Sequence, residues 1–454
     1  MAIGVAGNGI LCAADAARSA PPPEDPLVAA VAQASTRFAA DLYAQLRTQE
    51  GNLCFAPLGL AQSLLPIAVG AQGRAGGELA EALHLAVAPR EAADGFALLT
   101  RRLQRAAGGT ARLDFARALW VQQWNTINTD YVELLRQHCR SELRVIDFAR
   151  GEQAAHWINR WVSDSMGDRI TAITDAAAFD SSTRLLVANA VHFEQEWKHP
   201  FDPALTVPAP FELPSRTVAT ETPVPASAGT AAASPPSGDA ATEAKSPPEV
   251  PGSATPPIST AVEVATMRRI GPMRVATQAG CRLVSLPYQG EAFSVVLLVP
   301  DTGVALAEVE AQLSGERLAS ILDAMARAEM ERIELWLPRF TVHCRVPQLA
   351  ESLRRMGVTT AFDRSGAADF STLGENLDGS PVYLSNVHHV VKLEVDESGA
   401  EAGAVSAPAP EVPYDVPVAA PQAFRVDRPF LYFICDNRTG ALLFLGRVVD
   451  PRAG

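Results

Sequence analysis

Histidine and cysteine are the side chains of this 454-residue chain best suited to act as bases, nucleophiles or metal ligands. The adjacent pair His388-His389 has no carboxylate or cysteine at ligand spacing, and a lone histidine in an apolar strand is usually a hydrogen-bonded core residue. The six cysteines are widely scattered, without a CxxC pair, and are predicted to be mostly buried small hydrophobic side chains. They are Cys12, Cys54, Cys139, Cys281, Cys344 and Cys435.

Sequence motifs of enzymes are missing as well. The chain has no GxSxG, no HExxH, no P-loop and no GxGxxG that opens a helix. We therefore predict that the protein is not an enzyme, has no catalytic residue and needs neither a metal nor another cofactor. An enzyme that uses the histidine pair is the less favoured alternative, because no nucleophile accompanies the pair.

The charge of the chain argues against two further classes of function. It carries 51 acidic and 38 basic residues, a net charge of −13, whereas a nucleic-acid partner calls for a basic surface. No charge-free apolar run approaches the ~18 residues of a membrane span. The arginines at positions 101, 102, 105 and 112 could form a glycosaminoglycan-binding patch, but a solvated helix face is the favoured interpretation.

Residues 391–405, with the sequence VKLEVDESGAEAGAV, form the most informative stretch. An alternating strand ends at Asp396 and is followed by very small side chains, then by an exposed, proline-rich loop, before strand structure resumes at Phe424. A long loop inside a compact domain is usually functional. A segment of small residues next to a strand is what the chain needs if that segment must later slide between two existing strands.

The elements around this stretch are mixed. Apolar runs predict strands at 185–193, 293–300, 333–337 and 442–449, and the period of residues 154–166 predicts an amphipathic helix. Helices dominate the first third of the chain and strands the remainder. The pattern therefore favours an α+β fold rather than alternating βαβ units.

Two segments lie outside any predicted core. Residues 219–260 include 34 Ala, Pro, Ser, Thr or Gly residues among 42, so they cannot bury enough apolar surface to offset their ordering entropy, and we predict a disordered insert. Its flanks, 210–213 and 262–265, both read as strands of one sheet. Residues 1–30 are interpreted as a leader, either a weak export signal without a basic start or a disordered segment.

At this point the chain resembles the serpin family of serine protease inhibitors. The resemblance extends over roughly residues 35–451, and many independent motifs occur in the family's order. They are Asn52–Gly59, Gly70–Gly73, Ile158–Val162, Val187–Phe193, Trp197 with Pro200-Phe201, Leu337–Phe340, the hinge-like Glu397–Val405, and Phe424–Ile434, which is similar to the family's C-terminal signature.

The resemblance implies a single serpin-like domain over 31–454, interrupted by the insert, with three β-sheets, about nine helices and an exposed reactive-centre loop at 400–423. It implies a suicide substrate: a protease attacks the loop and forms an acyl-enzyme. The cut loop then enters the central sheet as a new strand and distorts the trapped protease before deacylation. Trapping depends on stored free energy held by a kinetic barrier.

Three groups of site residues follow from the resemblance, residue by residue. The hinge comprises Glu397, Gly399, Ala400, Glu401, Ala402, Gly403, Ala404 and Val405. The shutter, where the central sheet opens, comprises Asn189 and His389, with Ala56 and Gly59 where the family has two serines. The breach, where insertion begins, comprises Trp197, Arg339 and Glu397. Without the two serine hydroxyls the shutter lacks hydrogen bonds that each contribute about 1 kcal/mol. The height of the barrier to opening the central sheet is therefore in question.

The reactive bond can be narrowed by chemistry. Proline directly after the cleaved residue is poorly accepted by serine proteases, because its ring fixes φ and removes the N–H. Tyr414-Asp415 is the first large-residue bond free of this problem and implies a chymotrypsin-like target; Val418-Ala419 is the runner-up and implies an elastase-like one. A cysteine protease is a further candidate. No Arg or Lys lies between Val405 and Phe424, which argues against trypsin-like targets.

Several alternatives stay open from the sequence. Pro408 and Pro410 would forfeit ladder hydrogen bonds in a central strand, and so favour a substrate-like outcome. The rival function is a non-inhibitory serpin, which acts as a carrier, a chaperone-like protein or a decoy substrate; the small hinge residues argue for inhibition. The protein is expected to be a monomer of bacterial origin. The family role favours an extracellular or periplasmic location, although the export signal at the N-terminus is weak.

Overall fold

The computed structural model describes residues 25–108, 112–123, 125–214, 261–346, 348–400 and 420–453. Within these ranges there are nine α-helices, which agrees with the predicted number. They are α1 (Pro26–Leu46), α2 (Pro57–Gly70), α3 (Gly73–Ala82), α4 (Pro89–Ala107), α5 (Thr129–Leu134), α6 (Gly151–Met166), α7 (Leu306–Ala311), α8 (Gly315–Arg327) and α9 (Leu349–Arg355).

The same ranges contain seventeen strands, and the four predicted strands at 185–193, 293–300, 333–337 and 442–449 are confirmed as β5, β9, β10 and β17. The strands are β1 (Leu53–Phe55), β2 (Arg112–Gln122), β3 (Asn125–Ile127), β4 (Glu142–Ile146), β5 (Leu185–Glu196), β6 (Val207–Glu212), β7 (Ala261–Gln278), β8 (Cys281–Pro287), β9 (Phe293–Pro300), β10 (Met330–Pro338), β11 (Phe340–Arg345), β12 (Gly374–Asn376), β13 (Leu384–Val395), β14 (Gly399–Ala400), β15 (Gln422–Arg425), β16 (Phe430–Asp436) and β17 (Leu442–Val448).

Sheet A has six strands in the order β11-β13-β14-β5-β2-β4. Its two central strands, β13 and β5, run parallel and pair from Leu384↔Leu185 to Lys392↔His192. Beyond that rung the short strand β14 lies between them, antiparallel to both. The sheet is therefore closed along most of its length and open at one end.

The remaining large sheets share the 18-residue strand β7. One end of β7 lies in sheet C, with β6, β10 and β15, and the other end lies in sheet B, in the order β1-β17-β16-β9-β8-β7. A two-stranded ribbon of β12 and β3 completes the pairing. The prediction of an α+β fold with three sheets is confirmed.

Two hydrophobic clusters hold the sheets and helices together. In the smaller one, α6 lies on sheet A, where Trp161 contacts Trp120 edge-to-face with ring centroids 5.8 Å apart. The predicted helix at 154–166 is thus confirmed as α6. In the larger cluster, one face of α1 is completely buried at Phe38, Leu42 and Leu46. Both faces of sheet A are consequently covered by side chains.

Two boundaries of the sequence interpretation meet ordered elements. Helix α1 begins at Pro26, with the Asp25 side chain accepting a hydrogen bond from the Leu27 N–H at 2.9 Å, so the helix starts inside the segment 1–30 that was interpreted as a leader. The strands predicted on either side of the insert are found as β6 and β7, which are hydrogen-bonded neighbours with Glu212 opposite Ala261. The predicted insert at 219–260 itself lies outside the described residues.

Candidate functional site

The hinge begins inside sheet A. Gly399 lies opposite Glu196 of β5, and Ala400 lies opposite both Gln195 of β5 and Val395 of β13. Ala400 is completely buried. A Cβ atom on Gly399 would lie 2.1 Å from the Gln195 carbonyl oxygen, so only glycine allows this close approach. Gly399 thus meets a steric requirement of the neighbouring strand β5.

A tight turn redirects the chain from β13 into β14. The Asp396 carboxylate accepts hydrogen bonds from the backbone N–H groups of Ser398 and Gly399, at 2.8 Å and 3.1 Å. The Asp396 N–H in turn donates to the Gly399 carbonyl at 3.1 Å. An aspartate that bonds its own backbone two residues on is a common way to fix a turn. The sequence pattern indicates only that the strand ends at Asp396 and does not reveal the part of this residue in the turn.

Trp197 holds the open end of sheet A. Its indole N–H donates to the Asp396 carbonyl at 2.9 Å, and its backbone N–H donates to the Ser398 carbonyl at 2.8 Å. The ring is buried and stacks on Tyr288, with centroids 4.5 Å apart. Tyr288 was not identified from the sequence. Trp197 therefore acts as a core residue and also as a hydrogen-bond donor to the turn before the hinge.

Glu397, a charged residue of the predicted breach, is 4% exposed. Its carboxylate accepts hydrogen bonds from the Arg339 guanidinium at 2.7 Å and from the Thr206 hydroxyl. Burial acts to raise the pKa of Glu397, but these two hydrogen bonds, a backbone hydrogen bond and the charge of Arg339 together hold the pKa below its ordinary value. The structure thus brings Trp197, Arg339 and Glu397 together around the start of β14.

His389 occupies the middle of sheet A and is completely buried. Its Nε2 accepts a hydrogen bond from the backbone N–H of Ala56 at 2.9 Å, which ties β13 to the start of α2. Burial lowers the pKa of His389 to about 3, and the Asn189 backbone opposes this only in part. The ring is consequently neutral at ordinary pH and can accept this hydrogen bond. At the neighbouring His388, burial lowers the pKa to about 4.

Asn189 and Gly59 show how the predicted shutter packs without the two serines. Asn189 is completely buried and donates to the Ala116 carbonyl at 3.4 Å, but its Oδ1 has no hydrogen-bond partner in the described part of the chain. A Cβ atom on Gly59 would lie 2.6 Å from Cγ2 of Val191. Val191 therefore takes the space that a larger residue at position 59 would need, and packing replaces one of the missing hydroxyls.

Serine at positions 56 and 59 is expected to have opposite effects. Ala56 is the N-cap of α2 and has no side-chain capping bond, so Ala56→Ser should raise the free energy of unfolding by about 1 kcal/mol. Gly59→Ser should lower the free energy of unfolding by about 1–3 kcal/mol, because Val191 must move. Urea unfolding of the two variants measures both changes. Equal effects of the two serines would contradict this account of the shutter.

The remainder of the predicted loop lies outside the described residues. This applies to Glu401, Ala402, Gly403, Ala404 and Val405 of the hinge, and to both candidate reactive bonds, Tyr414-Asp415 and Val418-Ala419. The chain leaves sheet A at Ala400 and is described again from Ala420, at the edge of sheet C. The ends of the loop are therefore fixed on two different sheets.

The other candidate side chains have structural surroundings. Cys54, Cys139, Cys281 and Cys435 are buried free thiols, as predicted, and Cys344 is half-buried. Among the described residues, no group of three or more His, Cys, Asp or Glu side chains is placed to hold a metal ion. In the same residues no helix is both long enough and apolar enough to cross a membrane.

Comparison with known proteins agrees with this geometry. A family model of the serpins, described as serine protease inhibitors, matches residues 33–225 and 256–451. An uncharacterized serpin-like protein of Thermococcus kodakarensis is 27% identical over 428 residues, which cover 93% of this chain and 86% of that protein. The leukocyte elastase inhibitor of Bos taurus is 27% identical over 425 residues, which cover 92% and 98%.

Solved structures give the same fold. Tengpin, a thermophilic serpin in its native state, has a TM-score of 0.75 at 20% identity and covers 95% of this chain and 96% of its own. Human thyroxine-binding globulin has a TM-score of 0.74 at 21% identity, with coverage of 94% and 99%. At such identities the likeness concerns the fold alone. Because the family model matches on both sides of the insert and over most of the sequence, the chain belongs to the serpin family of serine protease inhibitors.

Proposed function

We propose that this serpin is inhibitory and traps serine proteases as a suicide substrate. The observation that carries the proposal is the position of Gly399 and Ala400, which already lie between β13 and β5 at the open end of sheet A. An inserting loop must enter at this point. The alternative, a chain whose hinge is kept out of the sheet, would have bulky or charged residues here.

The register of β14 indicates what insertion would bring together. If the antiparallel register of Ala400 with Val395 and Gln195 continues, Ala402 meets Leu393 and Ala404 meets Val391. Both partners are buried, so only small side chains would fit without displacing the core. The small residues of the hinge are therefore those that the sheet requires.

Continuing the same register brings Ser406 to the rung of Asn189 and His389. There its hydroxyl would lie near the Oδ1 of Asn189, which has no hydrogen-bond partner in the described residues. A buried polar atom without a partner costs about 1–3 kcal/mol. Before insertion this oxygen lacks a hydrogen bond, and in the inserted state Ser406 would supply one. The difference would contribute to the stored free energy on which trapping depends.

The target is proposed to be a chymotrypsin-like serine protease that cleaves Tyr414-Asp415, with elastase-like cleavage at Val418-Ala419 as the second possibility. The leukocyte elastase inhibitor among the relatives supports the elastase-like possibility. The protein is proposed to act as a monomer, and the family role favours a location outside the cell or in the periplasm.

Incubation with chymotrypsin is expected to give a covalent complex that survives SDS. Tyr414→Gly should abolish that complex, because glycine leaves the specificity pocket of the protease empty, while Val418→Gly should leave it unchanged. Gel electrophoresis with mass spectrometry of the released peptide measures both the complex and the bond that is cut. If wild-type protein yields only a cleaved loop and fully active chymotrypsin, inhibition of this target is ruled out.

A second function is favoured by one observation, the prolines of the loop. Pro408 would lie at the rung of Val387 and Val187 in a fully inserted strand, inside the sheet, where it would forfeit a ladder hydrogen bond. A loop that inserts slowly releases the protease before trapping it. The protein would then be a non-inhibitory serpin, such as a decoy substrate, a carrier or a chaperone-like protein.

A further inference from the structure

Three side chains form a row across the outer face of sheet C. Trp336 of β10 lies directly opposite Arg268 of β7 and Arg425 of β15. The guanidinium carbons of the two arginines lie 5.3 Å and 4.6 Å from the centroid of the Trp336 ring. Both distances are within the range of cation–π interactions. We call these three residues the arginine row.

The arginine row faces outward rather than into the core. On β10 the alternate residues Leu335 and Leu337 are completely buried, whereas Trp336 is half-buried. Arg425 is exposed, and within the described ranges no carboxylate forms an ion pair with it. Arg268 is paired with Glu334 at 2.5 Å. The row therefore presents one uncompensated positive charge, on a chain whose net charge is −13.

The row lies where the reactive loop returns to the body of the protein. β15 begins at Gln422, seven residues after Asp415 of the proposed reactive bond, and those residues span at most about 25 Å. A protease that holds this bond in its cleft binds the residues after the bond on one side of the cleft. That side of the protease must therefore face β15 and the arginine row.

We propose that the arginine row is a secondary binding site for the attacking protease. The residues after the cleaved bond bind one part of the protease cleft, and the row selects proteases that carry acidic side chains beside that part. This inference rests on the proposed function, because it requires a protease bound to the loop. Tryptophan and arginine are enriched among the residues that dominate protein interfaces. Complementary charge raises the rate of encounter more than it raises the final affinity.

The test compares two forms of one protease on the full-length protein. Chymotrypsin and chymotrypsin whose lysines have been succinylated differ mainly in surface charge, and both are normalised by their activity on a small ester substrate. The second-order rate constant of loop cleavage is measured by mass spectrometry. This rate depends on docking of the protease whether or not a trapped complex follows. The experiment therefore distinguishes a failure of the proposed trapping from an absence of protease binding at the arginine row.

Arg425→Glu is the test variant, Arg425→Gln is the milder one, and Arg327→Glu is the matched control. The control lies far from the arginine row. Arg327 is on α8 with its side chain 81% exposed, and the carbonyl of the next residue, Ala328, accepts a hydrogen bond from Arg274. Arg274 is six residues along β7 from Arg268, which places it roughly 20 Å from the row. Test and control therefore change the net charge equally, and only the test changes the arginine row. Thermal melting verifies that each variant is folded.

With the succinylated enzyme at low salt, Arg425→Glu should slow loop cleavage about tenfold and Arg425→Gln about threefold, whereas Arg327→Glu should change the rate less than twofold. The difference should vanish at about 0.5 M salt. Equal effects of Arg425→Glu and Arg327→Glu would overturn the proposal, since net charge alone would then explain them. Arg425-dependent binding of dextran sulfate with unchanged cleavage would also overturn it, and would assign the row to a polyanion.

Discussion

Ala400→Arg is expected to convert the protein from an inhibitor into a substrate. Ala400 is completely buried between β13 and β5, so arginine there would place a guanidinium in the sheet with no carboxylate opposite it, because its cross-strand partners are Val395 and Gln195. Burying an unpaired charge costs several kcal/mol. The hinge would therefore stay outside the sheet, and the cut loop would have no starting point for insertion.

The expected result is a fall of at least about tenfold in the yield of SDS-stable complex with chymotrypsin, since 1.4 kcal/mol already corresponds to a factor of ten. The rate of loop cleavage should be unchanged, because the reactive bond is distant in sequence from the substitution. Ala420→Arg is the matched control: it makes the same replacement at the other described end of the loop, where the residue is exposed. A normal yield of complex from Ala400→Arg would refute the proposed point of insertion.

Arg447→Met is expected to cause a large loss of stability. The guanidinium of Arg447 pairs with the Glu310 carboxylate at 3.0 Å, and both side chains are only 6% exposed. It also donates to the backbone carbonyls of Arg47 and Gly51, which join the end of α1 to β17. Removing Arg447 leaves a buried carboxylate without its cation and three carbonyls, those of Arg47, Gln49 and Gly51, without this donor.

The free energy of unfolding should fall by about 3–5 kcal/mol, as is usual when one partner of a buried ion pair is removed. The double variant Arg447→Met with Glu310→Leu should recover part of this loss, because the unpaired charge is removed as well. Arg452→Met serves as control: Arg452 is paired with Asp450, but its side chain is 52% exposed, so its loss should cost less than about 1 kcal/mol. Urea unfolding followed by tryptophan fluorescence measures all three. Similar losses for Arg447→Met and Arg452→Met would show that the buried ion pair contributes no more to the free energy of unfolding than the exposed one.

The elements of the fold could be predicted from local patterns, and their ends could not. The apolar run 185–193 predicted β5, but the strand continues to Glu196, because β14 pairs with its last two residues. The run 333–337 predicted β10, which extends from Met330 to Pro338 because β7 pairs along its whole length. Hydrogen bonds to neighbouring strands carry a strand beyond its apolar stretch, and those neighbours are not visible in a local pattern.

The candidate site divides in the same way. Family motifs identified Trp197, Arg339 and Glu397, although Arg339 and Glu397 are 58 residues apart, and the structure brings all three together. The two missing serines suggested a weakened shutter. The side chain of Val191 fills the space beside Gly59, and the backbone N–H of Ala56 donates to His389; neither contact can be read from residue types alone. The arginine row was missed for a related reason, since it exists only through the registers of three strands.

The central claim is that the cut loop inserts into sheet A, and thermal unfolding before and after cleavage tests this claim most directly. The loop is cut with a protease that is too dilute to be trapped in measurable amounts, and the cleaved protein is purified. The account predicts that cleavage raises Tm strongly, because the cut loop then extends β14 into a full-length strand between β13 and β5, and the stored free energy is released. It also predicts that Ala400→Arg shows no such rise. An unchanged Tm after cleavage of the wild-type loop would contradict insertion and would leave the protein a non-inhibitory member of its family.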